Sequence, residues 1–101
     1  MDPFGRIMWW LFSSSTGAPT RVRIARALRE EPRNAQQLAK SLDLDYMTVR
    51  RHLDVLRNNR MVETSGGPYG QVYFPSGLLE AHWTEFDRMV ERPRRGRERE
   101  P

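Results

Sequence analysis

The chain has no cysteine. Disulfides, thiolate metal sites and a cysteine nucleophile are therefore excluded. It has a single lysine, Lys40, so almost every cation is an arginine. Histidine occurs at only two positions, His52 and His82, and a zinc site needs three or four ligands. No apolar run approaches the roughly 20 residues of a membrane span. The apolar stretch 4–12 lacks the basic start, longer apolar core and small-residue cleavage site of a secretory signal, so a cytoplasmic location is expected. Ser13, Ser14 and Ser15 have no paired base in the sequence, and the scattered carboxylates define no cleft. No enzyme activity and no cofactor are expected.

What the chain does have is an excess of positive charge. Its 101 residues carry a formal net charge of +4, which favours an anionic partner and says nothing about fold. Arginine suits phosphate and guanine recognition because its planar fork donates two parallel hydrogen bonds. A single chain this short has a marginal core, so association with a second copy would help it.

The stretch 34–62 organises the rest. It reads NAQQLAKSLDLDYMTVRRHLDVLRNNRMV. Leu38, Ala39 and Leu42 mark one face of a helix, and Val49, Leu53 and Leu56 mark one face of another. Asp43-Leu44-Asp45 between them is a tight corner. Asn34 with Gln37 forms a capping-box pattern, and Asp45 caps the second helix. This is a helix-turn-helix pattern. Tyr46, Met47 and Arg50 share the outer N-terminal surface of its second helix, where helix-turn-helix proteins meet base edges. Arginine there can pair with guanine, and Tyr46 or Met47 can touch thymine methyl groups.

The segment Thr48-Val49-Arg50-Arg51-His52-Leu53-Asp54-Val55-Leu56, followed by Met61-Val62, resembles the ArsR-type winged helix-turn-helix repressors, in particular their short, metal-independent prokaryotic and archaeal relatives. The pattern is a β-branched residue, two polar or basic residues, His, Leu, two variable residues, Leu, a turn, and a hydrophobic-Val pair. The resemblance covers about Thr20 to Phe74. It implies a homodimeric regulator of transcription, expected to act as a repressor, that binds double-stranded DNA with helix 46–59. The expected DNA-binding residues are Tyr46, Met47, Thr48, Arg50, Arg51, His52, Arg57 and Tyr69. His52 matches the family's histidine and is equally suited to packing beside Leu53 and Leu56. One position departs from the family, which usually has glycine where Arg60 stands. A left-handed helix end prefers Gly and tolerates Asn, so Asn58 or Asn59 is expected to take that conformation.

The remaining segments complete the expected fold, mainly α with a small β-hairpin: a winged helix-turn-helix with N- and C-terminal dimerisation helices. Residues 1–18 are read as an N-terminal helix and linker, with Asp2-Pro3 starting the helix and 13–18 as the linker. Residues 19–75 form the DNA-binding domain. The chain's second helix starts near Pro19-Thr20 and runs to about Glu31, with Ile24, Ala25 and Leu28 inward and Arg21, Arg23, Arg26 and Arg29 around the rest; Pro32 stops it. Strands at 61–64 and 71–74 flank a glycine-rich loop, and Val72 and Phe74 share a face. This hairpin is the wing, and its loop offers Tyr69 but no basic residue. Residues 76–91 form a C-terminal dimerisation helix capped by Ser76. Residues 92–101, RPRRGREREP, are expected to be disordered. Both terminal helices carry apolar stripes: Phe4, Ile7, Met8 and Leu11 in one, Leu79, Trp83, Phe86 and Val90 in the other. These eight are expected to build the dimer interface.

Two competing readings have specific motives. A winged helix can serve protein or RNA contacts within a transcription assembly, and Tyr46 with Arg50 and Arg51 weighs against this. Residues 7–12 have the tryptophans of an interfacial anchor, but Arg6 alone does not make a basic face, so no membrane partner is expected. His82 and Glu85, at i and i+3, fall on the helix where some ArsR-type sensors hold zinc. With Glu80 nearby but no further histidine downstream, no metal is expected.

Overall fold

The computed structural model describes residues 2–67 and 70–98. Tyr69 lies outside the described residues. Helix α1 spans Pro3–Trp9 and starts where the sequence places it: the Asp2 side chain accepts from the Gly5 amide at 2.7 Å, and Pro3 fills a first-turn position that needs no amide hydrogen. The helix then continues as a wider π-type turn over Trp10–Ser14. The Ser15 amide donates to the carbonyl of Trp10 at 3.3 Å. In an α-helix that amide would serve Leu11. The shift leaves the Leu11 carbonyl for a side chain, and Arg21 Nε donates to it at 2.8 Å. Half of the expected linker 13–18 is thus helix. Only Ser15, Thr16 and Gly17 separate the π-type turn from α2, Ala18–Glu30.

After Pro32, Arg33 pairs with Tyr73. The Arg33 amide donates to the Tyr73 carbonyl at 3.1 Å and the Tyr73 amide returns the bond at 2.8 Å. This one-residue bridge docks the hairpin against the connection that leads into α3, Ala35–Leu42. Both halves of the expected capping box at Asn34 and Gln37 are present. Asp43 closes α3 at φ 56°, a left-handed conformation that Asp tolerates better than most residues. Asp45 then caps α4, Tyr46–Asn58, by accepting from the Thr48 amide at 3.0 Å.

Strands β1, Val62–Ser65, and β2, Val72–Pro75, are antiparallel, with Val62 opposite Pro75 and Thr64 opposite Tyr73. The strand face turned to the core carries Val62 and Tyr73, while Val72 and Phe74 are half-buried. The left-handed residue after α4 is Arg60 itself, at φ 65°, and not Asn58 or Asn59. The Asn59 amide nitrogens are already engaged on α4: backbone N–H and side-chain Nδ2 both donate to the Val55 carbonyl. The turn therefore falls one residue later, where the Arg60 carbonyl receives the Ser76 hydroxyl at 2.7 Å.

Ser76 also caps α5, Gly77–Glu80. The expected single helix over 76–91 is broken at Ala81–His82, and α6 spans Trp83–Glu98. Helix therefore extends well past residue 92, where disorder was expected.

The core corrects the reading of the terminal stripes. Met8, Leu11, Leu79 and Phe86 are fully buried within the single chain, and Val90 nearly so. Phe12 meets Phe86 edge-on at 5.0 Å, and Phe86 meets Trp83 at 5.1 Å. The two ends of the chain pack on one another and on α2, which a three-helix core with a hairpin was expected to leave uncovered. Arg29 fastens this packing: it pairs with Asp87 at 3.0 Å and lies 4.4 Å over the Trp83 ring. Five buried stripe residues are therefore spent on the fold and offer no surface for a partner. The outward apolar side chains of the terminal helices are Ile7, 39% exposed, Trp10, 50% exposed, and Leu78, 39% exposed, with Phe4, Trp9 and Trp83 half-buried beside the core.

Candidate nucleic-acid interface

Helix α4 is the centre of the site. Val49, Leu53 and Leu56 are fully buried and fix its rotation, because residues spaced three and four apart share a face. At about 100° per residue, the side directly opposite carries Met47, Arg51, Asp54 and Asn58, all exposed. Met47 is 66% exposed, a thioether with no protein partner to justify its apolar surface. Tyr46, Arg50 and Arg57 lie on one flank and are also exposed. Arg50 Nη1 donates to Tyr46 Oη at 3.1 Å, and its Cζ stands 5.9 Å from the Tyr46 ring centroid. That hydrogen bond raises the Arg50 pKa further above its ordinary value, so its charge is fixed under all working conditions.

Two of the expected DNA-binding residues face elsewhere. Thr48 is half-buried, and its amide and hydroxyl both turn to Asp45, at 3.0 and 3.4 Å. Its role is to shape the first turn of α4. His52 is half-buried on the other flank, and its Nδ1 stands 3.3 Å from Arg21 Nη1.

Arg21 is the residue that the sequence reading placed on the solvent side and the structure buries. It is 4% exposed. Its guanidinium donates to the Leu11 carbonyl, to the Ser15 hydroxyl and to His52 Nδ1, and lies 5.1 Å from the Trp10 ring. Burial lowers its pKa. For Nδ1 to accept from a guanidinium, His52 must be neutral with its proton on Nε2. Burial first, then the charges of Arg21 and Arg51, lower the His52 pKa in agreement. Gly17 leaves room for this contact: a Cβ at this position would lie 2.6 Å from Arg21 Nη1 and 2.7 Å from His52 Cε1, so a larger residue would have to push these side-chain ends aside. A signal for Arg21 was present. It precedes Ile24, Ala25 and Leu28 at the spacing i, i+3, i+4, i+7, so it belongs to the buried stripe of α2 by position.

The other arginines of α2 are also partly committed. Arg23 Nη2 donates to the Leu42 carbonyl at the end of α3, at 2.7 Å, and Arg29 holds Asp87. His82 tilts against Phe4 at a centroid distance of 4.4 Å, with Nδ1 2.7 Å from the Leu78 carbonyl and Nε2 3.8 Å from Glu85. Among the described residues, no three His, Asp or Glu side chains gather where a metal ion could be held, and no helix is long and apolar enough to cross a membrane.

Helices α2 to α4, followed by the β1–β2 hairpin, define a winged helix-turn-helix, with α4 as its recognition helix. Residues 18–64 match the model of the bacterial regulatory proteins of the arsR family. Over this segment the chain is similar to the winged helix-turn-helix of the arsR-family regulatory proteins. Among solved structures, it is similar to an ArsR-like transcriptional regulator from Rhodococcus sp. RHA1, at 22% identity over 95% of this chain and 84% of that one, with a TM-score of 0.65. It is similar to the homodimeric winged helix-turn-helix DNA-binding domain Mb0332 from Mycobacterium bovis, at 17% identity over 87% of this chain and 82% of that one, with a TM-score of 0.66. It is also similar to the apo Zalpha of zebrafish PKZ, at 26% identity over 61% of this chain and 98% of that one, with a TM-score of 0.57. No curated protein sequence matches the chain.

Proposed function

We propose that this chain is a sequence-specific regulator of transcription, a repressor that binds double-stranded DNA as a homodimer and lays α4 in the major groove. The observation that carries this reading is the exposed face of α4: a rigidly capped helix presents Met47, Arg50, Arg51 and Arg57 without burying any of them. A cationic, apolar-tipped helix of this kind complements phosphates at its edges and base edges at its crest. Dimer formation is supported by the outward Ile7 and Trp10 and by the homodimeric state of the similar Mycobacterium bovis domain. A two-fold pair of recognition helices would enter successive major grooves about 34 Å apart. Repression follows from occupancy, since a small dimer seated on a promoter blocks access to it.

The test is selection of bound sequences from a random duplex pool, with analytical ultracentrifugation of the protein alone and with the selected duplex. A palindromic consensus bound by two chains, with affinity falling steeply as salt rises, is the expected result. Trp10→Glu should then bind one half-site per chain and keep its fold. Absence of salt-dependent duplex binding would overturn the reading. A non-palindromic site bound by one chain would remove the dimer from it.

A further inference from the structure

The flank of α4 that carries Tyr46 and Arg50 is exposed and borders an open cleft. It forms one wall of a cleft of about 380 Å³ whose other walls are the first turn of α3 and the start of β2, including Gln36, Gln71 and Tyr73. Among the described residues, Arg50 is the one charged residue lining this cleft and no carboxylate lines it; Asp54, one turn further along α4, acts on Arg50 from outside the lining. Uncharged amide groups make up much of the rest. The guanidinium is held in place, since Nη1 donates to Tyr46 Oη at 3.1 Å. In that bond the phenol is the acceptor, so its own hydrogen remains free to donate into the same space.

This geometry disagrees with the role that sequence alone gives Arg50. A guanine reader should stand on the crest of the helix, opposite the buried Val49, Leu53 and Leu56. Met47 and Arg51 stand there. Arg50 is turned aside, into the space between the recognition helix and the hairpin. Where a helix lies in the major groove and a hairpin reaches toward the neighbouring minor groove, the sugar-phosphate strand between the grooves passes between helix and hairpin.

We infer that the cleft between α4, α3 and β2 seats one backbone phosphate of the bound duplex, with Arg50 as its ligand and Tyr46 as the residue that positions Arg50. This rests on the DNA-binding reading above and assigns the work within it. Base discrimination falls to Met47 and Arg51 on the crest. Arg50 contributes affinity and register without sequence preference. The cleft suits this task because an anion entering it meets one positive charge and hydrogen-bond donors on neutral side chains, with no carboxylate among its described lining residues. The Tyr46 bond lowers the entropy lost when a long side chain is fixed on its ligand.

The experiment compares wild type, Arg50→Ala, Tyr46→Phe and Arg51→Ala on the selected duplex and on a scrambled duplex, each across a series of salt concentrations. Arg50→Ala should weaken both duplexes by the same factor and reduce the slope of log affinity against log salt by about one. Tyr46→Phe keeps the ring and the charge. It should weaken both duplexes by a smaller common factor, with the salt slope and melting temperature unchanged, a combination that a merely structural role would not give. Arg51→Ala should reduce the ratio between selected and scrambled duplexes. A scan of the selected duplex with single methylphosphonate linkages should find one position that costs the wild type affinity and costs Arg50→Ala nothing.

The inference is overturned if Arg50→Ala loses affinity for the selected duplex alone, which would make it a base reader, or if it binds both duplexes as the wild type does. It is also overturned if inorganic phosphate raises the melting temperature of the wild type and not of Arg50→Ala while duplex binding is the same in both, since the site would then serve a free anion. If the wild type itself binds no duplex in a salt-dependent way, the DNA-binding reading fails as a whole, an outcome separate from these.

Discussion

Moving the solution from pH 7.5 to pH 5.5 should destabilise the fold through one side chain, His52. In the folded chain its Nδ1 faces Arg21 Nη1 at 3.3 Å. Burial, then Arg21, then Arg51 hold its pKa below the ordinary histidine value. These two arginines, one on α2 and one on α4 itself, are the charges that act on it; the adjoining 15–17 turn offers only Ser15, Thr16 and Gly17. In the unfolded chain the imidazole titrates near 6.5. The unfolded state therefore takes up a proton first as the pH falls, and stability is lost below about 6.5 until the folded pKa is reached. Above that range both states are neutral and His52 contributes no pH dependence. One pH unit below 6.5 limits the loss to roughly 1.4 kcal/mol. With a urea m value of about 1–3 kcal/mol/M, that is a midpoint shift of up to roughly 0.5–1.4 M. Carboxylates add their own pH dependence, so the measurement is a difference: urea unfolding of wild type and of His52→Gln at both pH values. Glutamine retains an acceptor for Arg21 and cannot charge. The wild type should lose more stability than the variant between the two pH values. Equal losses would refute the assignment of a neutral, Arg21-bound His52.

Two further perturbations bear on the same scaffold. Arg60→Gly removes an L-residue from φ 65°, a conformation that costs non-glycine residues roughly 1–2 kcal/mol, and should raise the melting temperature by several degrees; a fall would show that the Arg60 side chain does more for the fold than its backbone strain costs. Gly17→Ala puts a methyl carbon 2.6 Å from Arg21 Nη1 and 2.7 Å from His52 Cε1, and should cost about 1–3 kcal/mol as overpacking does; a neutral result in urea unfolding would mean that the two side chains move aside freely.

The helix-turn-helix was legible because its signals are local. Asn34, Gln37 and Asp45 cap neighbouring amides, and the apolar spacing of Val49, Leu53 and Leu56 fixes a face without reference to the rest of the chain. Several of the departures depend on contacts distant in sequence. Arg21 is buried because Leu11 and Ser15 from the π-type turn and its end, and His52 from α4, converge on it. Arg33 pairs with Tyr73 across forty positions. The side on which Arg50 lies could be read from helix geometry, but that β2 closes a cleft over that side could not. Likewise, the apolar stripes of the terminal helices announce burial, and a stripe does not say whether its cover comes from the same chain or from another.

That ambiguity bears on how a dimer would behave. If Met8, Leu11, Leu79, Phe86 and Val90 had been shared between two chains, folding and dimerisation would be one event, and no stable monomer would exist. They are buried within one chain, so the monomer already owns its core. What remains for an interface is led by Ile7 and Trp10, and a buried large side chain is worth about 1.5–3 kcal/mol. Two such residues on each side are set against an association cost of about 4–15 kcal/mol in lost rigid-body freedom. The free dimer that this patch supports is weak. On a duplex with two half-sites the second chain binds at high effective concentration, so the same patch suffices there. On the proposed DNA-binding reading, a chain with a self-sufficient fold and a small outward patch would assemble on the operator in preference to assembling in solution, and its occupancy of DNA should rise with protein concentration more steeply than a preformed dimer's would.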